Sequence, residues 1–305
     1  MPNGELCGIV NINKPIGLTS HDVVNRVRRM TGQRKVGHAG TLDPAATGVL
    51  LLCLGRATRV VEHLTASDKT YRARIRLGIS TDTYDVEGEI TSQAATDGVT
   101  RPQVERELGS WVGSLEQIPP MYSAVKHNGT PLYRLARRGQ TVARRARKVQ
   151  IWAAKLLEWA PPELEVEVRC SKGTYIRSLA HDLGQHLGCG AHLVGLTRMA
   201  SGHFRIEQAV SLEQLEQACA ENNVARLLQP LDSALQAFPA ITVDQPTARK
   251  ITFGQRVQLS AAPEARMCRA YAGDGRLLAL LRYNDDRQWQ PDKVFIQPTN
   301  DENHP

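Results

Sequence analysis

The stretch Gly37–Gly48, GHAGTLDPAATG, carries a single acid, Asp43, set directly before a proline and among three glycines. A lone carboxylate cannot run paired acid/base chemistry, and one aspartate does not make a metal site. Pro44 disfavours the helical region for Asp43, so the backbone there is extended or turned. Gly37, Gly40 and Gly48 let the chain bend tightly or let another group come close to it. By itself this is most simply an Asp-Pro turn. The rest of the chain has to decide whether the acid does chemistry.

A second chemical signal is charge. The net charge is +7, and Lys126–Val149 (KHNGTPLYRLARRGQTVARRARKV) holds eight cations and no acid, so everything else sums to −1. The cations are Lys126, Arg134, Arg137, Arg138, Arg144, Arg145, Arg147 and Lys148. Such a block suits a polyphosphate, either nucleic acid or an anionic surface. Leu132, Tyr133, Leu135 and Val142 between the charges favour a packed element over a free tail, and nucleic acid is the expected partner. The six cysteines form no C-x-x-C pair, and Cys189 with His192 has no second pair to complete a zinc site. No signal-like start is visible, and the apolar run Val49–Leu54 is too short to cross a bilayer. The chain is read as soluble, reduced and cytoplasmic, with no zinc site and no membrane partner.

The elements that must position Asp43 follow from periodicity and turn signals. CGIVNINKPIG reads as a strand, TSHDVVNRVRRMTG as a helix capped at Ser20 and stopped by Gly32, and GVLLLCLG as an apolar strand. A helix over 57–65 and the strand KTYRARIRLG follow, then the acidic turn TDTYDVEG, to which no catalytic role is given. A helix is expected from Pro102 to 113. KVQIWAAKLLEWA and ELEVEVRC read as antiparallel strands joined through Pro161-Pro162. GTYIRSLAHDLGQHLG carries a helical apolar stripe, AHLVGLTRMASGHF a strand, and SLEQLEQACAE and NVARLLQPLDSAL two helices. A break near Phe238 is followed by short strands with glycine turns.

Five segments in order then resemble the bacterial TruB-type tRNA pseudouridine synthases. They are NKPIGLTSHDVV, KVGHAGTLDPAATGVLLLCLGRATR, DKTYRARIRLGISTDTYDVEG, IPPMYSAVKHNGTPLYRLARRG and SKGTYIRSLAHDLGQHLGCGAHLVGLTRMASGHF, covering most of 8–204. The resemblance implies an α+β fold: a mixed, mainly antiparallel sheet with flanking helices over 1–238. It further implies a PUA-like RNA-binding β module over 239–299, leaving a tail at 300–305. The activity implied is conversion of uridine to pseudouridine at position 55 of the tRNA T-loop, by a base-flipping enzyme that needs one carboxylate and no cofactor. The resemblance puts that carboxylate on Asp43 and its guanidinium partner on Arg177. Tyr71 is implied to stack on the target base and help remove the C5 proton. Tyr175 and Leu196 would line the pocket, and His38 would fill the gap left by the flipped base. Lys14, Lys69, Lys126, Arg144, Arg145, Arg147, Lys148 and Lys172 would hold phosphates.

One departure stands out: the family commonly has two arginines after the pocket leucine, and here the order is Leu196-Thr197-Arg198. The long basic extensions of guide-RNA relatives are absent, so a stand-alone monomer acting on the tRNA T-stem-loop without guide RNA is expected. A non-catalytic RNA-binding protein of the same fold could dispense with Asp43. A glycosidase would need two placed carboxylates, and a membrane-surface protein a basic amphipathic helix with large apolar residues.

Overall fold

A computed structural model of the chain describes residues 6–259, 263–284 and 288–296. The tail expected at 300–305 lies outside them. The chain begins with β1 (Gly8–Lys14), α1 (Ser20–Thr31), β2 (Val36–Ala39) and β3 (Ala46–Leu54). Every residue of β3 from Val49 to Leu54 is apolar because both faces are covered. Leu50, Leu52 and Leu54 pack with Val23, Val24 and Val27 of α1, while Val49, Leu51 and Cys53 join Ile9, Ala57 and Phe204 on the other side. Gly32 stops α1 in a left-handed conformation, φ 66°. Its start is a capping box: the Thr19 hydroxyl accepts the Asp22 amide at 3.0 Å, and the Asp22 carboxylate accepts the Thr19 amide at 2.9 Å. The cap is therefore Thr19, not Ser20, whose hydroxyl has another task.

A 3-10 turn (Gly55–Val60) and α2 (Val61–Ala66) replace the single helix expected there, and β4 (Lys69–Leu77) follows. The acidic segment lies between the paired strands β5 (Ile79–Thr81) and β6 (Ile90–Gln93). Helix α3 (Arg101–Ser110) has Thr100 and Gln103 as its capping box. After β7 (Gly113–Gln117), the basic block forms the ribbon β8 (Lys126–His127) and β9 (Thr130–Pro131), the short helix α4 (Leu132–Ala136) and an extended stretch. Strands β10 (Arg147–Ala160) and β11 (Glu163–Cys170) are the anticipated antiparallel pair. Then come α5 (Ile176–His186), β12 (Ala191–Ser201), β13 (Phe204–Arg205) and α6 (Leu212–Ala220). NVARLLQPLDSAL forms two 3-10 turns, Val224–Leu227 and Leu231–Leu235, because Pro230 between them has no amide to continue a helix.

These strands make a nine-stranded sheet, ordered β1-β3-β12-β4-β11-β10-β7, with β2 beside β3 and β13 beside β12. All its pairings are antiparallel except β3 with β12, where Leu196, Thr197 and Arg198 face Ala46, Thr47 and Gly48. Helices α3 and α5 cover the β4–β11 half, and α1 and α6 the β1–β3 half. Tyr71 and Leu196 pack against both cores, at the seam between them. A second sheet, β14 (Ala240–Thr242), β15 (Met267–Tyr271), β16 (Leu277–Tyr283) and β17 (Trp289–Val294), has its own core around Ile251, Cys268, Leu281 and Trp289. It includes a helix the sequence reading missed, α7 (Gln245–Thr252), started by the Asp244 cap on the Thr247 amide. Its seam with the first sheet is apolar, through Val60, Leu235, Leu280 and Phe295, and is tied by Arg56 donating to the Phe295 carbonyl at 2.8 Å.

Gly48 enables the parallel joint. Its φ is +96°, and an added Cβ would lie 2.3 Å from the Arg198 carbonyl oxygen and 2.8 Å from its amide nitrogen. Gly48→Ala is therefore expected to cost about 2–4 kcal/mol, from left-handed strain plus a backbone clash. Urea unfolding checks this; an unchanged midpoint would show that the joint tolerates a side chain.

Candidate active site

The turn between β2 and β3 carries Asp43, and its backbone is tied down from four sides. Ser20 is buried and bonds both polar groups of Leu42, accepting from its amide at 2.8 Å and donating to its carbonyl at 3.1 Å. The Pro44 carbonyl accepts the Gly17 amide at 2.8 Å and the Lys14 ammonium at 3.3 Å. The Asp43 carbonyl closes the turn onto the Ala46 amide at 3.1 Å. Arg198, 1 % exposed, donates to the Gly40 carbonyl at 3.0 Å and to the Val49 carbonyl at 2.6 Å, holding both ends of the turn. A buried cation whose donors meet buried carbonyls is costly to remove, because its acceptors are then left unpaired.

Helix α5 supplies the counter-charge. Arg177 is 5 % exposed. Its Nη2 meets Asp43 Oδ2 at 3.0 Å and the Tyr122 carbonyl at 2.9 Å. Its Nη1 meets Asp85 Oδ2 at 3.2 Å and the Thr83 carbonyl at 3.4 Å. One guanidinium is thus shared by two carboxylates. The Asp43 side chain keeps 43 % of its surface reachable, so it sits at the base of an open cleft, surrounded by protein yet wetted. Burial pushes its carboxyl above the usual aspartate range; Arg177 and Lys14 oppose that rise, and Asp85 adds to it. The cleft is lined by Asp43, Ala46, Asp85, Val86, Arg177 and Leu196, and its enclosed part is about 20 Å³, room for about one water.

The remaining expected residues distribute unevenly. Leu196 lines the cleft, as its motif implies. Tyr71 pairs in register with Arg198 across β4 and β12, and the Arg198 guanidinium engages its hydroxyl. Burial raises the Tyr71 phenol, which therefore keeps its proton at neutral pH; this suits a stacking ring better than a resting base. Tyr175 sits at the start of α5, where Gln117 grips both its amide, at 2.7 Å, and its carbonyl, at 2.9 Å. His38 lies on β2 on the way into the turn; burial lowers its pKa, leaving a neutral imidazole, and its Nδ1 has no hydrogen-bond partner among the described residues. Lys126, Arg145, Arg147, Lys148 and Lys172 are exposed, and Arg144, half-buried, donates to the Pro119 carbonyl at 3.1 Å.

Two expected phosphate contacts are corrected. Lys14 is wholly buried, and its ammonium is spent on the carbonyls of Pro15, Leu18 and Pro44. Lys69 is 4 % exposed and donates to the carbonyls of Leu64, Thr65 and Ser67. Neither reaches the surface, so both brace the backbone around the site instead of meeting RNA. Sequence reasoning also missed Asp85 and Arg198. By sequence Asp85 is turn structure, and only its charge within an otherwise local turn hints at a distant partner. Arg198 reads only as the arginine beside Thr197. Thr197 itself is engaged across the parallel joint, 2.9 Å from the Thr47 hydroxyl. Among the described residues no group of three or more His, Cys, Asp or Glu side chains could hold a metal ion, and no helix is long and apolar enough to cross a membrane.

In overall shape the chain is similar to a crystal structure of a Cbf5-Nop10-Gar1 complex, with a TM-score of 0.74 and 27 % identity, covering 95 % of this chain and 85 % of that one. The archaeal box H/ACA sRNP Nop10-Cbf5 complex matches with a TM-score of 0.71 and 25 % identity over 95 % of this chain and 86 % of that one. The chain shares its fold with the Cbf5 pseudouridine synthases of these complexes. Residues 28–176 match the model of the TruB family pseudouridylate synthase N-terminal domain, and residues 177–236 that of the tRNA pseudouridylate synthase B C-terminal domain. The tRNA pseudouridine synthase B of Dehalococcoides mccartyi is 44 % identical over 95 % of this chain and 97 % of its own length. That of Ralstonia nicotianae is 45 % identical over 92 % and 90 %. The chain belongs to the TruB family of pseudouridylate synthases. The second family model ends at 236, before the second sheet begins at Ala240.

The bracing lysines carry a pH signature. Burial lowers the Lys69 pKa from 10.5 to about 8. Between those values the unfolded chain binds a proton that the folded chain has released, so this group makes stability rise with pH. Below about pH 8 both states carry the proton and the increment is lost. In matched urea titrations the stability of the wild type relative to Lys69→Met should therefore climb from pH 8 towards 10. A flat difference would show that Lys69 stays charged in the fold.

Proposed function

We propose that this protein isomerises a uridine of tRNA to pseudouridine, at position 55 in the T-loop, with Asp43 as the essential carboxylate. The reading rests on one observation above all: an aspartate in an immobilised turn, facing a buried arginine, at the seam where Leu196 and Tyr71 meet. The reaction breaks the N1–C1′ glycosidic bond, turns the uracil and forms a C5–C1′ bond, with the C5 proton lost and N1 gaining one. Nothing is oxidised overall, and one well-placed anionic oxygen can capture or stabilise the separated fragment. Arg177 keeps Asp43 ionised and aimed. The buried cations Lys14, Lys69, Arg177 and Arg198 outnumber the acids Asp43 and Asp85 there, a field that favours negative charge on a detached uracil.

The T-loop base must leave its stack to reach this cleft. A flat, neutral His38 suits the vacancy, and Tyr71 the exposed face of the base. Lys126, Arg144, Arg145, Arg147, Lys148 and Lys172 would position phosphates without reading sequence, and residues 239–299 would act as a PUA-like RNA-binding module. Curated relatives of nearly the same length carry the name tRNA pseudouridine synthase B, which supports the tRNA as substrate; the reading is completed by a stand-alone cytoplasmic monomer that needs no guide RNA, metal or cofactor.

An unmodified tRNA transcript incubated with the protein and EDTA should gain one pseudouridine in the T-loop, located by carbodiimide labelling and primer extension. Asp43→Asn should slow the reaction by about 10⁴-fold or more. Because burial raises the Asp43 pKa, the wild-type rate should fall as pH drops through a value above 3.8, where the carboxylate takes up its proton. Modification persisting in Asp43→Asn would overturn its role.

The basic block gives an independent check. Affinity for the transcript should fall steeply with salt through counterion release, and charge reversal of Arg144, Arg145 and Arg147 to Glu should flatten the slope by about three phosphate contacts. An unchanged slope would remove the block from the RNA interface.

A further inference from the structure

The loop Thr81–Glu89 forms one wall of the cleft, through Asp85 and Val86. It meets α5 at two points one helical turn apart. Asp85 holds Arg177, and the Tyr84 ring lies on the His181 imidazole with centroids 3.9 Å apart and planes 17° from parallel. Both acceptors of Arg177 Nη1, the Thr83 carbonyl and Asp85 Oδ2, belong to this loop. The opposite nitrogen serves Asp43. Any withdrawal of the loop would therefore strip one half of the guanidinium and let the other half drift from Asp43.

Tyr84 is an unexpected residue for its place. Its φ is 66°, a left-handed conformation that a bulky side chain rarely adopts and that glycine or asparagine takes more readily. What the tyrosine adds is its ring. The ring has a flat partner in His181, whose Nδ1 is buried without a hydrogen-bond partner, so the imidazole is engaged there by its face. The Tyr84 carbonyl also accepts the Leu193 amide at 3.0 Å, joining the loop to β12. Inside the loop, Asp85 Oδ1 accepts from the Thr83 hydroxyl at 2.6 Å and the Glu87 amide at 3.0 Å, which leaves Oδ2 turned to Arg177.

We propose that the Tyr84–His181 stack is a positioning device for the isomerisation, clasping the Asp85–Val86 wall to α5 so that Arg177 stays centred on Asp43. The inference rests on the isomerase reading of the same site. Neither ring lines the cleft, and both act through Asp85. Backbone strain is tolerated at Tyr84 because the contact it creates is used at the reacting centre.

The test is single-turnover conversion of a tRNA transcript at saturating protein, with its Kd and the protein's Tm measured alongside. Tyr84→Gly removes the ring while suiting the left-handed backbone, so it should fold with a Tm near that of the wild type. Tyr84→Gly and His181→Ala should each slow conversion by about tenfold to a hundredfold, the scale of a misplaced catalytic group. Kd should stay within about twofold, since phosphate contacts elsewhere set it. The double variant should be no slower than the slower single, as partners in one contact require. Tyr84→Phe, which keeps the ring, should recover the wild-type rate. Wild-type rates in both Tyr84→Gly and His181→Ala would overturn the proposal, as would Tyr84→Phe as slow as Tyr84→Gly. A wild-type protein that converts no tRNA would overturn the isomerase reading and the clasp with it.

Discussion

Everything around the site depends on how one buried guanidinium is shared. Arg177 has an acceptor on every side: two carboxylates, Asp43 and Asp85, and two main-chain carbonyls, of Thr83 and Tyr122. A buried cation with two anions satisfies neither completely, which suits the role proposed for Asp43. If Arg177 belonged to Asp43 alone, the pair would neutralise the acid in a tight ion pair. With Asp85 competing, Asp43 remains paired on Oδ2 yet held above its usual pKa range by burial and by its fellow anion. Desolvation, and not the arginine, has the upper hand.

Such an arrangement works only if the acid cannot move to relieve it. The turn therefore has donors assigned to its carbonyls one by one: Ser20 to Leu42, Gly17 and Lys14 to Pro44, and Arg198 to Gly40 and Val49. These donors come from α1, the end of β1 and β12, elements on both sides of the seam between the two cores. The main sheet thus serves as a jig. Its one parallel pairing places Arg198 beside the turn, and Gly48 permits the approach. Stability is spent on this, because burying Lys14, Lys69 and Arg198 costs desolvation that apolar residues would not.

What was legible in the sequence, and what was not, divides along the same line. Strands β4, β10, β11 and β12 and helices α1 and α5 follow from local periodicity, and Asp43 with Arg177 from the motifs that carry them. The failures are residues whose meaning is set by a partner far away in the chain. Lys14 and Lys69 look like solvated lysines, since nothing local says that carbonyls will converge on them. Ser20 looks like a cap because serine favours that place, and only the Asp43 turn, packed 22 residues on, claims its hydroxyl. Asp85 sits in a run of turn-forming residues whose internal bonds are enough to explain it, and its bond to Arg177 spans 92 residues. Helix α7 escaped for another reason: it is eight residues long, and its apolar positions, Ala248 and Ile251, are too few to show a helical stripe.

The modest size of the cleft then acquires a meaning. Asp43 is reachable at its base, between the Asp85–Val86 wall and Leu196, but the lining there is small. The flipped base brings its own stacking surface, but unstacking costs free energy, and so small a cleft alone offers too few contacts to offset it. The compensation must come from distant contacts, and the exposed cations from Lys126 to Lys148 are where a folded polyanion would supply it. On this argument an isolated uridine is a poor substrate by construction. On the proposed reading a tRNA would be a good one, because binding energy gathered along its backbone would offset the unstacking of the base.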